Sequence, residues 1–173
     1  TGGIAQANFT LLELQILNFI RRANGNYACV GISSNGNAPD GYSFGFTADG
    51  LVDSVYGYNG LVPLTGTNYA TGIAEHNNII YACGYSSIPL QGFVWALDDT
   101  GSYIFSFGTG SKAVFSLNMG VGYNSIQVQP DGQILLGGGT LISAQESDFI
   151  ISRINTDGTA DTTFGVGGHF MAD

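Results

Sequence analysis

Basic side chains are nearly absent from this chain: Arg21, Arg22, Lys112 and Arg153 stand against thirteen Asp and Glu, a formal net charge of −9. A surface of that sign repels phosphate backbones, so no nucleic-acid partner is expected. Charge of either sign is scarce, only 10% of residues, against roughly a quarter in ordinary soluble domains. Gly, Ser, Thr, Asn and Tyr supply the polar surface instead, which points to an extracellular or cell-surface setting, or alternatively a virion. Long apolar runs are missing too. The longest, residues 9–20, is interrupted by Thr10, Glu13, Gln15 and Asn18 and is too short and polar for a bilayer-spanning helix, so no membrane insertion is expected. The chain begins at Thr1 without Met, as expected of a processed or trimmed polypeptide, and Asn8-Phe9-Thr10 is a formal glycosylation sequon.

Cysteine is limited to Cys29 and Cys83. Aligned on the turns described below, Cys29 matches Ala82 and Leu136, whereas Cys83 matches Val30 and Gly137. Their Cβ atoms therefore face opposite sides of neighbouring strands, and a bridge needs Cα atoms within about 7 Å. Two free, buried thiols are expected.

What the chain has in abundance is hydrophobic side chains, 44% of residues, enough to bury a core, and a pair of turn signals that recurs three times in register. The first is Asn or Asp followed by Gly or Asn, then an apolar run ending on Gly: Asn24-Gly25 to Gly31, Asn77-Asn78 to Gly84, Asp131-Gly132 to Gly138. The second is a turn Gly with an aromatic-Gly pair seven residues on: Gly50 to Tyr56-Gly57, Gly101 to Phe107-Gly108, Gly158 to Phe164-Gly165. Two offsets kept three times over a period of 51 to 57 residues are the mark of a solenoid or propeller.

Within the clearest unit, residues 125–129 alternate apolar and polar, Pro130-Asp131-Gly132 makes a hairpin turn, and 133–139 form a second strand. Residues 149–154 give a third, closed by Asn155-Thr156-Asp157-Gly158, and 168–171 a short fourth. The expected fold is all-β: three units of four antiparallel strands, spanning about 16–64, 70–117 and 124–172 in one domain, each like a β-propeller blade. Residues 11–22 could also suit a helix, but their end aligns with the first strand of the other units, which favours strand. Residues 9–12 read as an extra strand ahead of the first unit.

Residues 126–135 (IQVQPDGQIL) and 149–165 (FIISRINTDGTADTTFG) resemble the delta-60 repeat, a propeller-like module of secreted and surface bacterial proteins. Unit two keeps Thr100-Gly101 and Phe107-Gly108-Thr109-Gly110-Ser111-Lys112, and unit one keeps Asp49-Gly50, Asp53 and Tyr56-Gly57, so the likeness covers most of residues 24–169 at falling quality. It implies extracellular, repetitive, non-catalytic scaffolding or binding, with no catalytic residues to carry over. Propeller rings usually need four to eight blades, so three units imply completion by copies of the chain, by partner strands, or by the rest of a longer array.

Each motif that suggests chemistry falls on a position the repeat already occupies. Gly41-Tyr42-Ser43-Phe44-Gly45 matches the G-x-S-x-G elbow of serine hydrolases, but lies inside a strand with only His76 and His169 to act as base. Asn155, Asp157 and Asp161 have the alternating oxygen spacing of a calcium loop. An Asp-Gly turn asks for the same residues, and the equivalents Thr47, Asp49, Asp53 and Asp98, Thr100, Ile104 do not keep the set. Calcium at this turn is left open. The clusters Gly137-Gly138-Gly139 and Gly165-Val166-Gly167-Gly168 open no helix, as a phosphate cradle requires, and read as bulges and tight loops. Tyr42, Tyr56, Tyr58, Tyr69, Tyr85, Tyr103, Tyr123 and Trp95 could anchor a carbohydrate or a protein. The chain is thus expected to be no enzyme, with no catalytic, cofactor or metal residues, acting as a homo-oligomer or in a larger assembly. Alternatives are a capsid-decoration or tail protein and a carbohydrate-binding lectin.

Overall fold

The computed structural model describes residues 14–34, 39–117, 120–141 and 146–172. These form three four-stranded antiparallel sheets and, among the described residues, no helix. The first blade contains β1 (Leu14–Arg21), β2 (Tyr27–Ser33), β3 (Asp40–Phe46) and β4 (Leu61–Pro63). The second contains β5 (Tyr69–His76), β6 (Ile79–Ser87), β7 (Leu90–Leu97) and β8 (Lys112–Phe115). The third contains β9 (Gly120–Val128), β10 (Ile134–Leu141), β11 (Ser147–Ile154) and β12 (His169–Ala172). In each sheet the strands lie side by side in chain order, the meander of a propeller blade. The stretch that could have been helical, residues 11–22, carries β1. The expected strand at 9–12 and the sequon lie outside the described residues.

The blades stack face to face in a row that is not closed. β5 packs on β1, β2 and β3, and β9 on β5, β6 and β7. Period-2 alternation explains the two cores. Ala28 and Val30 of β2 meet Ile80 and Ala82 of β6, with Phe93, Trp95 and Leu97, in the seam between blades one and two. The intervening β6 residues Tyr81 and Cys83 face the other way and join Val94, Ile134, Leu136 and Ile150 in the seam between blades two and three. The middle strands β6 and β7 of blade two thus bury both faces.

The first recurring signal has a steric cause. Gly31, Gly84 and Gly138 sit beside a β-bulge, marked by register shifts at Ile16/Asn18, Ala70/Gly72 and Gly137/Gly138. A Cβ there would lie 1.9, 1.8 and 2.0 Å from the carbonyl oxygens of Gln15, Tyr69 and Gly122 on the adjoining strand. The bulge also explains why β9 runs back to Gly120, five residues before the alternating stretch at 125–129: the extra residue Asn124 breaks the period-2 pattern while the ladder continues.

Candidate functional site

The second recurring signal builds the seams. The amide of Gly57 in blade one donates to the Thr100 carbonyl in blade two at 2.6 Å, and the amide of Gly108 in blade two donates to the Asp157 carbonyl in blade three at 2.7 Å. The aromatic residue before each glycine, Tyr56 or Phe107, is buried in the seam. The acceptor turns are stiffened by an aspartate: Asp98 Oδ1 accepts from the Thr100 and Ser102 amides at 2.8 and 2.9 Å, and Asp157 Oδ1 from the Thr159 amide at 2.9 Å. Both also accept a threonine hydroxyl, at 2.7 and 2.6 Å.

Further polar contacts cross the first seam. Trp95 Nε1 donates to Thr67 Oγ1 at 3.0 Å, Tyr103 donates its hydroxyl to the Pro63 carbonyl, and buried Arg22 donates to the Asp99 carbonyl at 2.7 Å. Arg22 also faces Glu75 at 3.8 Å, while Glu75 Oε2 accepts from the Ala23 amide at 2.8 Å. Residues 53 and 77 positions apart leave no sequence signal of such pairing.

The turn aspartates couple stability to acid. Burial raises the Asp98 pKa, but the Thr100 hydroxyl, the Ser102 and Thr100 amides and the charge of Arg22 outweigh it, so the carboxyl titrates below its ordinary 3.8. Threonine hydroxyl and amide donors likewise hold Asp157 and Asp161 below 3.8. A depressed carboxylate stabilises the fold fully above the unfolded value and loses that contribution as pH falls through the folded one. The melting temperature should therefore hold as pH drops to about 4 and fall below it. Asp98→Asn with Asp157→Asn should flatten that fall; an unchanged slope would show that these carboxylates do not carry it.

The expected chemistry-bearing residues are placed apart. Ser43 lies mid-strand in β3, fully buried, its Oγ donating to the Cys29 carbonyl at 3.1 Å and sharing a 2.7 Å bond with the Tyr56 hydroxyl. Neither histidine is its partner: His76 ends β5, and His169 Nδ1 shares a 2.8 Å bond with Ser152. Of the proposed calcium set, Asn155 donates to Thr159 Oγ1 at 2.9 Å, Asp157 caps its own turn, and Asp161 Oδ2 takes Arg153 Nε at 2.7 Å and Gln133 Nε2 at 2.8 Å. Among the described residues no three His, Cys, Asp or Glu side chains converge as a metal site would need. Cys29 and Cys83 are free and buried, and burial pushes their thiols up to about 11 and about 12.

The aromatic set divides. Tyr56, Tyr123 and Trp95 are seam residues, which removes them from any ligand surface. Tyr69 and Tyr85 stack at 4.9 Å, and Tyr85 with Leu90, Gly122, Asn124, Gly139 and Thr140 lines a shallow pocket of about 220 Å³.

The third blade departs from the other two on its outward face. Phe164, equivalent to Tyr56 and Phe107, is half-buried under the Arg153 guanidinium, 4.9 Å from its ring. Among the described residues no blade turn receives the Gly165 amide. Phe149, Phe170 and Ile151 lie on this face with 76, 55 and 44% of their surface exposed. Residues 149–154 form the expected third strand, and only alternate residues of it are buried: Ile150 and Ile154 fill the seam, while Phe149 and Ile151 face out. A signal for this was present, since Phe149 stands where blades one and two have Gly41 and Gly92.

Residues 129–164 match a β-propeller domain family of unknown function (DUF5122), spanning the first hairpin turn of the third blade to its aromatic-Gly pair. The chain therefore carries a propeller-type repeat. No curated protein matches it.

Proposed function

From a propeller-type repeat with a bare apolar face on blade three, we propose that this chain is a non-catalytic interaction module of the delta-60 kind, working outside the cytoplasm by joining blade faces to copies of itself or to partner chains. The observation that carries this reading is the exposed Phe149, Ile151 and Phe170 on blade three, at positions whose equivalents in blades one and two lie inside seams. Apolar side chains grouped on one sheet face of a soluble protein mark an interaction site. The catalytic alternative has little support, because Ser43 is sealed inside a seam without an imidazole. The sparse charge and the Ser, Thr, Asn and Tyr surface support the extracellular setting. Sedimentation equilibrium over a wide concentration range tests the reading: mass should rise above that of one chain as concentration increases, and a constant 18.1 kDa with no partner captured from secreted or surface fractions would overturn it.

A further inference from the structure

We infer that blade three is a two-fold docking surface for a second copy of this chain, an inference that rests on the assembly reading above and specifies its geometry. Two glycines mark the surface. Gly138 is required by the bulge, but its neighbours Gly137 and Gly139 are not: a Cβ would find its nearest atoms 3.8 Å away at Ser125 and 3.7 Å away at the Asp148 carbonyl, and neither has a positive φ. The matching β6 position to Gly137 holds Cys83, a core side chain. A strand glycine that its own chain does not need marks close approach by an outside body.

Register places the rest. Gly139 pairs with Phe149 and Gly137 with Ile151 on β11, and Ile151 pairs with Phe170 on β12. All five share one face, which therefore has a glycine furrow beside an apolar ridge. A surface with both is complementary to itself: a two-fold axis through it lays each copy's ridge in the other's furrow, the isologous contact of a symmetric dimer.

The face continues the series formed by the two internal seams, yet it does not accept another blade in the same way. In the seam between blades two and three, a Cβ on Gly92 would come within 2.6 Å of the Tyr123 ring, so the inner strand of blade three can approach only because that residue is glycine. Blade three has Phe149 there, which blocks that approach. Blade one's outward face offers that ridge no furrow: Cys29 and Phe44 at its centre are buried, and its exposed apolar side chains Ile16 and Phe19 stand on the edge strand β1.

Four strands about 4.8 Å apart, three of eight or nine residues and β12 of four, give a face of about 450 Å². Two such faces bury about 900 Å², the size of a weak, transient contact, and each copy carries a net charge of −9. The dimer should be weak, populated at about 100 μM and dissociated at about 1 μM, and it should strengthen with added salt as the like charges are screened.

The test is sedimentation velocity of the wild-type chain, Phe149→Asp, Gly137→Val and, as a control at an exposed site on blade one, Val55→Asp, each checked for wild-type circular dichroism. The expected result is a dimer for wild type and Val55→Asp, with at least about tenfold weaker association for the two face variants. Gly137→Val adds only apolar atoms where there is room, so its loss of association cannot be charged to misfolding or to a new carboxylate. Association that survives both face variants overturns this geometry and leaves the assembly reading standing. A wild-type chain monomeric at every concentration and salt overturns the dimer and self-assembly together.

Discussion

Gly84→Ala should lower stability by about 3 kcal/mol or more, whereas Gly137→Ala, in the equivalent strand of the next blade, should change it by less than about 0.5 kcal/mol. The added methyl is the same; its surroundings differ. At Gly84 the Cβ would lie 1.8 Å from the Tyr69 carbonyl oxygen and 2.9 Å from its carbon. That carbonyl is backbone beside the β5 bulge, so it cannot move aside as a side chain would without breaking the ladder to β6. Strand β6 is buried on both faces, so any backbone shift is passed to both seams. At Gly137 the same methyl meets only ordinary contact distances. For a domain of this size the Gly84 change corresponds to a fall of about 6 to 12 °C in melting temperature, read by calorimetry. Equal effects at the two sites would mean that the bulge does not force glycine.

Tyr123→Ala should cost about 4 kcal/mol, and Tyr123→Phe about 1 kcal/mol. Tyr123 is wholly buried in the seam between blades two and three. Its ring meets Phe115 edge-on at 5.6 Å and fills the space that Gly92 leaves open. Its hydroxyl shares a 2.8 Å bond with Ser152 Oγ, and burial pushes its pKa up to about 12, so the phenol remains neutral throughout the stable range. Truncation to alanine removes the ring that joins the two blades, leaving a cavity; loss of the hydroxyl alone leaves Ser152 its bond to His169. Because repeat arrays are held by neighbour-to-neighbour contacts, the alanine variant should also unfold in two steps, with blade three melting first. A single transition with a change below 1 kcal/mol would show that this residue does not couple the blades.

Much of the fold was legible because its hardware is local. A turn, a bulge glycine and an aromatic-Gly pair each need a fixed residue at a fixed offset, and offsets survive in a sequence. Strands β10, β11 and β12 lie within two residues of their expected ends for that reason. The start of β9 does not, because Gly122 and Asn124 have poor strand propensity and the bulge disrupts alternation. Ser43 could be read as misplaced for catalysis from its position alone, but its partnership with Tyr56 could not. Trp95 and Tyr123 show the main limit: an aromatic residue in a β repeat is equally suited to a seam and to a ligand, and only the packing of neighbouring blades decides. The bare face of blade three left one mark, Phe149 where blades one and two have Gly41 and Gly92, but Phe149 and Ile150 look alike in the strand pattern until one is buried and the other is not.

The aromatic-Gly pairs of blades one and two each lock their blade to the next through one amide. Amide hydrogen exchange resolved by residue tests it directly in dilute protein. Gly57 and Gly108, whose amides donate across a seam, should exchange at least about a hundredfold more slowly than Gly165, which has the same local turn but no blade turn against it among the described residues. Similar rates at all three glycines would contradict the account.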